Sequence, residues 1–314
     1  MKASKAEEFM GRAIELSQLG FPAPNPHVGC VIARDGEVVG EGYHDHAGGP
    51  HAEVVALNQA GPLARGDDVF VTLEPCNHHG RTGPCSLALI EAGVSSVSYA
   101  VADPNPRAQG GAERLRKAGI AVSQGLLEAE ASAANSVFLT AIKLGRPLVT
   151  LKAAASLDGK IALENGESKW ITGPRAREQG HRLRAEMGAV LVGANTVLHD
   201  DPELMARIEG VVNQPVRVIL DPLNRVPATA KALQNTSQVL HFVGEKPLEG
   251  QTLIGVKDGK FDLAELLGSL WEHKIIGVLV EGGAHTIGSF FEADLYDRLE
   301  LFLAPLVIGT GLSW

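Results

Sequence analysis

Cysteine is scarce in this chain, with three in 314 residues, at positions 30, 76 and 85. A number so small, and odd, argues against a disulfide framework and makes metal binding or catalysis the better use of the thiols. No apolar run approaches the ~18 residues that would span a bilayer, so no membrane partner is expected. Met1 to Met10 alternates Lys with Glu and lacks the apolar stretch and small-residue cleavage site of a secretory leader, which points to the cytoplasm. An excess of basic residues is missing too. The net charge is −9, and acidic residues outnumber basic ones in both halves, so long-range attraction to nucleic acid is not favoured, although a local basic pocket for one phosphate is compatible with it. There is no internal repeat, no low-complexity tract and no clean G-x-G-x-x-G after a strand.

What is present is ordinary globular composition, 45% hydrophobic and 21% charged, in a chain longer than one hydrophobic core usually serves. Two α/β domains are expected. Ser4-Lys5-Ala6-Glu7 reads as a capping box opening a helix with Phe9, Met10, Ala13, Leu16 and Leu19 on one face, ended by Gly20. Val28 to Ala33 and Glu37 to His44 read as strands joined by the turn dipeptide Asp35-Gly36. Alternation follows: a helix from about His51 to Ala60, a strand at Val69 to Leu73, a helix at Cys85 to Ala92, a strand at Val94 to Val101 and a helix at Ala112 to Lys117. One long helix is predicted over Leu126 to Leu144. Gly145-Arg146-Pro147 breaks it, placing the domain boundary between residues 147 and 148. Residues 148–314 carry strand candidates at Leu148 to Ala154, Ala189 to Val192, Val216 to Leu220, Val239 to Val243, Ile275 to Val280 and Leu299 to Leu303. Gly309 to Trp314 show no stop signal, and the natural protein is expected to continue.

The strongest chemical signal is His51-Ala52-Glu53, followed by Pro75-Cys76 and Pro84-Cys85. Zinc takes imidazole nitrogen and thiolate sulfur, and three protein ligands leave a fourth tetrahedral position for water whose pKa falls toward ~7. His51, Cys76 and Cys85 are therefore the candidate ligands, each expected at a helix N-terminus that favours thiolate. Glu53 is the candidate acid and base, carrying a proton to a ring nitrogen and then to departing ammonia. His44, His46 and His79 are alternative ligands, but none has the neighbouring Glu. Recruitment of His78 or His79 as a fourth ligand would close the site and leave Glu53 without a role. Cys30, in an apolar strand, reads as a small buried hydrophobe. Where zinc deaminases show P-C-x-x-C, eight residues separate Cys76 from Cys85, and this polar, basic insertion reads as a substrate loop.

These motifs, with Asn25-Pro26-His27-Val28-Gly29-Cys30, Thr72-Leu73-Glu74-Pro75-Cys76, Asp103-Pro104-Asn105-Pro106, Ser156-Leu157-Asp158-Gly159-Lys160 and Trp170-Ile171-Thr172, resemble the bifunctional riboflavin-biosynthesis enzymes that join a pyrimidine deaminase to a ribosylaminopyrimidine reductase. The resemblance covers essentially the whole chain. It implies a cytidine-deaminase-like N-terminal domain and a dihydrofolate-reductase-like C-terminal domain using NADPH. It further implies Asn25, His78, Arg81 and Asn105 around the pyrimidine and its phosphoribosyl arm. Ala154, Trp170, Thr196, Asp200 and the turn Gly283, Ala284, His285, Thr286 and Ile287 look like cofactor contacts. Ser168, Arg184, Leu204, Arg207 and Glu281 look like substrate contacts, with two arginines suited to one phosphate dianion. Two departures touch substrate and cofactor edges: Met205 stands where the family usually has Thr, and Pro222 where Ser is common. The partner is then a small phosphoribosylaminopyrimidine and not a polynucleotide, and a homo-oligomer is favoured over a monomer. The rival reading is a tRNA or nucleoside zinc deaminase fused to an unrelated α/β domain.

Overall fold

The computed structural model describes residues 4–78, 83–165, 171–234, 237–257 and 259–313. The chain divides into two compact units, Met1–Lys143 and Leu144–Trp314. Among the described residues no helix is long and apolar enough to cross a membrane.

The first unit opens with α1 (Lys5–Ser17), whose capping box is complete: Glu7 N donates to Ser4 Oγ at 3.2 Å and Ser4 N to Glu7 Oε2 at 2.6 Å. Phe9, Met10, Ala13 and Leu16 are buried, whereas Leu19 lies beyond the end of the helix and is exposed. Gly20 falls after the helix has already ended at Ser17, and it is needed for a different reason: a Cβ there would meet the His44 carbonyl oxygen at 2.5 Å. β1 (Gly29–Arg34) and β2 (Glu37–Tyr43) form the expected hairpin, with Asp35 and Gly36 both at positive φ. With β3 (Asp68–Leu73), β4 (Ser96–Val101) and β5 (Ala121–Gln124) they make a sheet of order β2-β1-β3-β4-β5. β1 runs antiparallel to β2 and β3, while β3, β4 and β5 are mutually parallel through the crossovers α3 (Cys85–Ala92) and α4 (Gly111–Lys117). α2 (Ala52–Ala60) packs across β1 and β2. Cys30 is fully buried in this core with Met10, Val31, Ile32 and Leu89.

The single helix predicted over Leu126 to Leu144 is two, α5 (Glu128–Ala134) and α6 (Ser136–Leu144). Asn135 separates them at φ −113°, and its buried Oδ1 accepts His27 N at 3.0 Å. A tertiary hydrogen bond thus takes the side chain that local propensity alone would leave inside a continuous helix.

The second unit is built on seven parallel strands in the order β11-β10-β9-β8-β14-β6-β15. These are β6 (Leu148–Ser156), β8 (Ala189–Gly193), β9 (Val216–Asp221), β10 (Val239–Val243), β11 (Gln251–Leu253), β14 (Gly277–Val280) and β15 (Arg298–Ala304). β7 (Lys160–Leu163) pairs with β16 (Gly311–Ser313), and β12 (Val256–Lys257) with β13 (Lys260–Phe261). The turn between β6 and β7 holds the Ser156 to Lys160 motif. Asp158 accepts Ser156 Oγ, Ile308 N and Gly309 N, which together hold its carboxyl down at about 2. The helices are α7 (Pro174–Met187), α8 (Ala194–Asp200), α9 (Lys231–Gln234), α10 (Leu263–Glu272) and α11 (Ala284–Glu292). Leu151, Leu191, Val218, Phe242, Leu266 and Phe290 form the centre of this unit's own core.

Candidate active sites

The first site gathers where β3 ends and two helices begin. His51 is the N-cap of α2 and Cys85 the first residue of α3. Cys76 lies in the loop after β3 and not at a helix N-terminus as the sequence suggests, yet the α3 terminus still reaches it, because Cys85 N donates to Cys76 Sγ at 3.4 Å. His51 Nδ1 is 3.1 Å from Cys85 Sγ and 3.5 Å from Cys76 Sγ, and the three ligand atoms lie within 4.8 Å of one another. For a tetrahedral ion, Zn–N near 2.05 Å and Zn–S near 2.3 Å require N to S separations of about 3.6 Å, so the Cys76 distance already suits zinc and the Cys85 distance need open by only about 0.5 Å. The protonation chemistry fits as well. A hydrogen bond from the Cys85 thiol, then one from His51, hold the Cys76 thiol down at about 4 against the opposing effect of burial. Cys85 is pushed up, first by sharing its proton with Cys76, and a cation would displace that proton.

Glu53, in the first turn of α2, is buried with 3% of its surface exposed. Burial raises its carboxyl pKa first and the Cys76 thiolate second. A carboxyl held ready to carry a proton beside three ligands is what hydrolytic removal of ammonia requires.

Asn25 reaches the site through His44. His44 Nδ1 lies 2.9 Å from the Pro50 carbonyl oxygen, which only accepts, so Nδ1 carries the proton and Nε2 accepts Asn25 Nδ2 at 3.0 Å. The His44 ring stands edge-on to His51 at 5.3 Å. Asn105 sits on a loop tied to the metal ligands by Glu74, whose carboxylate accepts Asp103 N at 3.4 Å, Gly110 N at 3.1 Å and Ala112 N at 3.0 Å. Asp103 Oδ1 then accepts Asn105 N at 2.8 Å, and burial pushes the Asp103 carboxyl up to about 6. Sequence reasoning offered His44 only as an alternative zinc ligand, whereas both its nitrogens are engaged by Asn25 and Pro50, and it assigned no role to Glu74 or Asp103, although these lie inside quoted motifs. His78 is exposed, and Arg81 lies outside the described residues.

The second site is a cleft of about 530 Å³ at the carboxyl ends of β8, β9 and β14. Thr196, Gly283, Ala284, His285 and Thr286 line it, as the family resemblance implies. Ile287 turns into the core instead. Ala154, on β6, and Asp200, the last residue of α8, are not part of the lining. Ser168 and Trp170 fall outside the described residues. Glycines permit the close packing around the cleft: a Cβ on Gly282, beside the lining, would meet Val192 Cα at 2.8 Å, and one on Gly193, which lines it, would meet Thr286 Oγ1 at 2.5 Å. Gly283 caps the nine-residue α11 with no side-chain hydrogen bond, leaving the first amides of the helix for a phosphate group.

Arg184 and Glu281 form one unit. Arg184 Nε and Nη2 each donate to a Glu281 carboxylate oxygen at 2.7 Å, and Nη1 donates to the Met205 carbonyl at 2.9 Å. Burial alone would raise Glu281, but the Arg184 fork and the nearby Lys152 outweigh it and hold the carboxyl low. Arg207 pairs with Glu203 at 3.0 Å, and Leu204 between them is buried at φ +58°. The structure therefore engages both arginines with carboxylates and not with each other.

Comparison with known proteins accords with both sites. Residues 3–101 match the cytidine and deoxycytidylate deaminase zinc-binding region, and residues 147–313 match the RibD C-terminal domain. The riboflavin biosynthesis protein RibD of Aquifex aeolicus is 46% identical over 318 residues, covering 98% of this chain and 89% of that protein. The Escherichia coli protein of the same name is 42% identical, with 97% and 89% covered. Among solved structures, Acinetobacter baumannii RibD superposes with a TM-score of 0.88 at 43% identity, covering 97% of this chain and 88% of that one. The diaminohydroxyphosphoribosylaminopyrimidine deaminase/5-amino-6-(5-phosphoribosylamino)uracil reductase of Thermotoga maritima gives 0.87 at 38% identity, with 98% and 89% covered. Matches running through both halves set aside a deaminase fused to an unrelated domain and support zinc in the first half and NADPH in the second. A cytidine-deaminase-like unit followed by a dihydrofolate-reductase-like one, this chain belongs to the RibD family of riboflavin-biosynthesis proteins.

Proposed function

We propose that the chain performs two consecutive reactions. The first is hydrolytic deamination of 2,5-diamino-6-(5-phosphoribosylamino)pyrimidin-4(3H)-one. The second is NADPH-dependent reduction of the opened ribosyl chain, giving 5-amino-6-(5-phosphoribitylamino)uracil. The observation that carries this reading is the buried Glu53 carboxyl next to the converging His51, Cys76 and Cys85. His51, Cys76 and Cys85 hold zinc, which when bound supplies Lewis acidity that activates water at neutral pH. Glu53 takes one proton from water and delivers it to the ring nitrogen as the C–O bond forms, then carries the proton left on the added hydroxyl to the amine, so that the C–N bond breaks as the carbonyl forms and ammonia leaves. Asn25 and Asn105 orient the pyrimidine, with His78 and Arg81 on its phosphoribosyl arm. In the second unit Thr196 and the turn 283–287, with Ala154, Trp170 and Asp200, hold NADPH, which when bound supplies two electrons as hydride. Ser168, Leu204, Arg207 and the Arg184–Glu281 pair position the sugar phosphate, and orientation against the nicotinamide carries most of the rate.

The same reading takes the chain as cytoplasmic, since Cys76 and Cys85 must stay reduced to bind metal. It also takes it as a homo-oligomer, supported by the exposed leucines 299, 301 and 303 along β15 at the sheet edge.

The test is a coupled assay on wild type and Glu53→Gln, following ammonia without NADPH and then NADPH oxidation. The variant should retain zinc, release no ammonia, and regain NADPH oxidation when given the deaminated compound. A zinc-loaded wild type that released no ammonia from this substrate would overturn the reading.

A further inference from the structure

Residues 204–207 are held away from the conformation their sequence would choose. Leu204 is buried at φ +58°, a left-handed backbone that leucine rarely adopts. The restraint is made by side chains. Gln214 pairs with both polar groups of Ala206, its Oε1 accepting Ala206 N at 2.9 Å and its Nε2 donating to Ala206 O at 3.1 Å. From α7, Arg184 Nη1 donates to the Met205 carbonyl at 2.9 Å. One turn earlier on the same helix face, His181 Nδ1 stands 3.1 Å from that carbonyl and 3.3 Å from Arg207 N. Every polar backbone group from Met205 O to Arg207 N is thus engaged by a side chain. Met205 enters through its carbonyl, so the departure from Thr at this position leaves the clamp intact.

His181 is suited to hold this segment and not to add charge to it. Burial first, then Arg184 and Arg207, hold its pKa below the ordinary 6.5, with the Met205 carbonyl and Glu281 opposing. The ring is therefore neutral at pH 7 and works as a hydrogen-bond partner. Its Nδ1 touches the residues on both sides of Ala206, so losing that one atom frees the segment at two points.

We infer that His181 is a positioning residue of the reductase, keeping Leu204 and Arg207 in the conformation that meets the sugar phosphate of the substrate. The inference rests on those two residues being substrate contacts. Without the ring, Leu204 relaxes toward negative φ and carries the backbone of Arg207 with it, so the substrate meets a segment that must first be reordered. That cost falls on binding and not on hydride transfer within the bound complex.

The experiment is steady-state NADPH oxidation by the zinc-loaded full chain with the deaminated compound, comparing wild type with His181→Asn, His181→Gln, Arg207→Gln and Ala284→Trp. Asn carries a polar atom where Nδ1 stands, whereas Gln places its amide one carbon farther out. His181→Gln should raise KM about five- to tenfold, the size of one lost hydrogen bond, with kcat within about twofold and NADP⁺ affinity unchanged. His181→Asn should return KM to within about twofold of wild type, which a histidine serving as a phosphate-binding cation would not allow. If His181→Gln has no higher KM than His181→Asn, or if kcat or NADP⁺ affinity falls along with it, the inference is wrong. Arg207→Gln should raise KM with His181 in place, and Ala284→Trp, filling the cleft from its lining, should abolish NADPH oxidation. If Arg207→Gln left KM at the wild-type value, or Ala284→Trp oxidised NADPH as wild type does, substrate or cofactor would lie elsewhere and the reading beneath the inference would fall with it.

Discussion

Replacing Gly111 by Ala tests whether the zinc ligands are held by the loop beside them. Gly111 is the first residue of α4, and a Cβ there would stand 1.7 Å from the Pro75 carbonyl oxygen and 2.8 Å from its carbon. Pro75 immediately precedes Cys76, so the overlap cannot be relieved by a side-chain rotation. Either the strand end carrying Cys76 moves, or the start of α4 does. The flanking amides, Gly110 N and Ala112 N, are the two that donate to Glu74 Oε1. Moving α4 away stretches both, and hydrogen bonds to a carboxylate are worth roughly 1.5–3 kcal/mol each. Losing both costs about 3–6 kcal/mol, with overpacking strain of about 1–3 kcal/mol where the backbone does not yield. Helix propensity predicts the opposite sign, since Ala is about 1 kcal/mol better than Gly within a helix. The assay is urea unfolding of the zinc-loaded chain followed by far-ultraviolet circular dichroism and by tryptophan fluorescence. All three tryptophans, at positions 170, 271 and 314, belong to the second unit. Gly111→Ala should therefore shift the dichroism transition of the first unit by at least about 3 kcal/mol, lower zinc retention, and leave the fluorescence transition unchanged. A destabilisation under about 1 kcal/mol, or any stabilisation, would refute the reasoning.

Removing zinc with a chelator should abolish ammonia release and open Cys76, the one cysteine with some exposed surface, to a thiol reagent under native conditions, with Cys30 and Cys85 protected by complete burial; three reactive thiols would contradict the packing of β1 and of the α3 N-terminus. Glu281→Gln leaves the Arg184 cation without its counter-charge and should destabilise the second unit by about 3–5 kcal/mol, read by tryptophan fluorescence, whereas replacing both members with apolar residues should cost far less. Burial holds the His241 pKa below its ordinary 6.5, with Asp221 opposing. The unfolded chain then binds a proton near pH 6.5 that the folded chain does not, so stability from this histidine is present above that pH and declines as pH falls through it. The urea midpoint of the second unit should fall between pH 7.5 and 5.5 more steeply in wild type than in His241→Gln, and equal slopes would exclude His241 as the cause.

Features governed by neighbours in sequence were legible from the sequence. The Ser4–Glu7 capping box, the Asp35-Gly36 turn and the His51-x-Glu53 pair each depend on residues within a few positions of one another, and the structure reproduces their geometry. The core strands of both sheets were also readable from apolar runs, whereas short strands such as β11 and β13 carry too few residues to show any period. What escaped depends on distant partners. Asn135 breaks a helix because His27 claims its side chain, 108 residues away. Arg184 has the chemistry to bind a phosphate, but nothing local reveals that Glu281, 97 residues on, takes its fork. His44 reads as an alternative zinc ligand until Pro50 and Asn25 occupy its two nitrogens and fix which of them carries the proton. In the zinc site the types of ligand were plain, but not that Cys76 would sit in a loop and borrow its helix terminus from α3.

Each half of this chain closes its own apolar interior, one built around Ile32 and Leu89 and the other around Leu191 and Phe242. A lesion in one half need not be repaired in the same molecule. Copies carrying Glu53→Gln, mixed with copies carrying Ala284→Trp, would complement each other in trans, the second supplying deaminated compound that the first reduces. The lag before ribityl product accumulates would lengthen on dilution, turning the spacing between two chemical events on one polypeptide into a time that can be read in a cuvette.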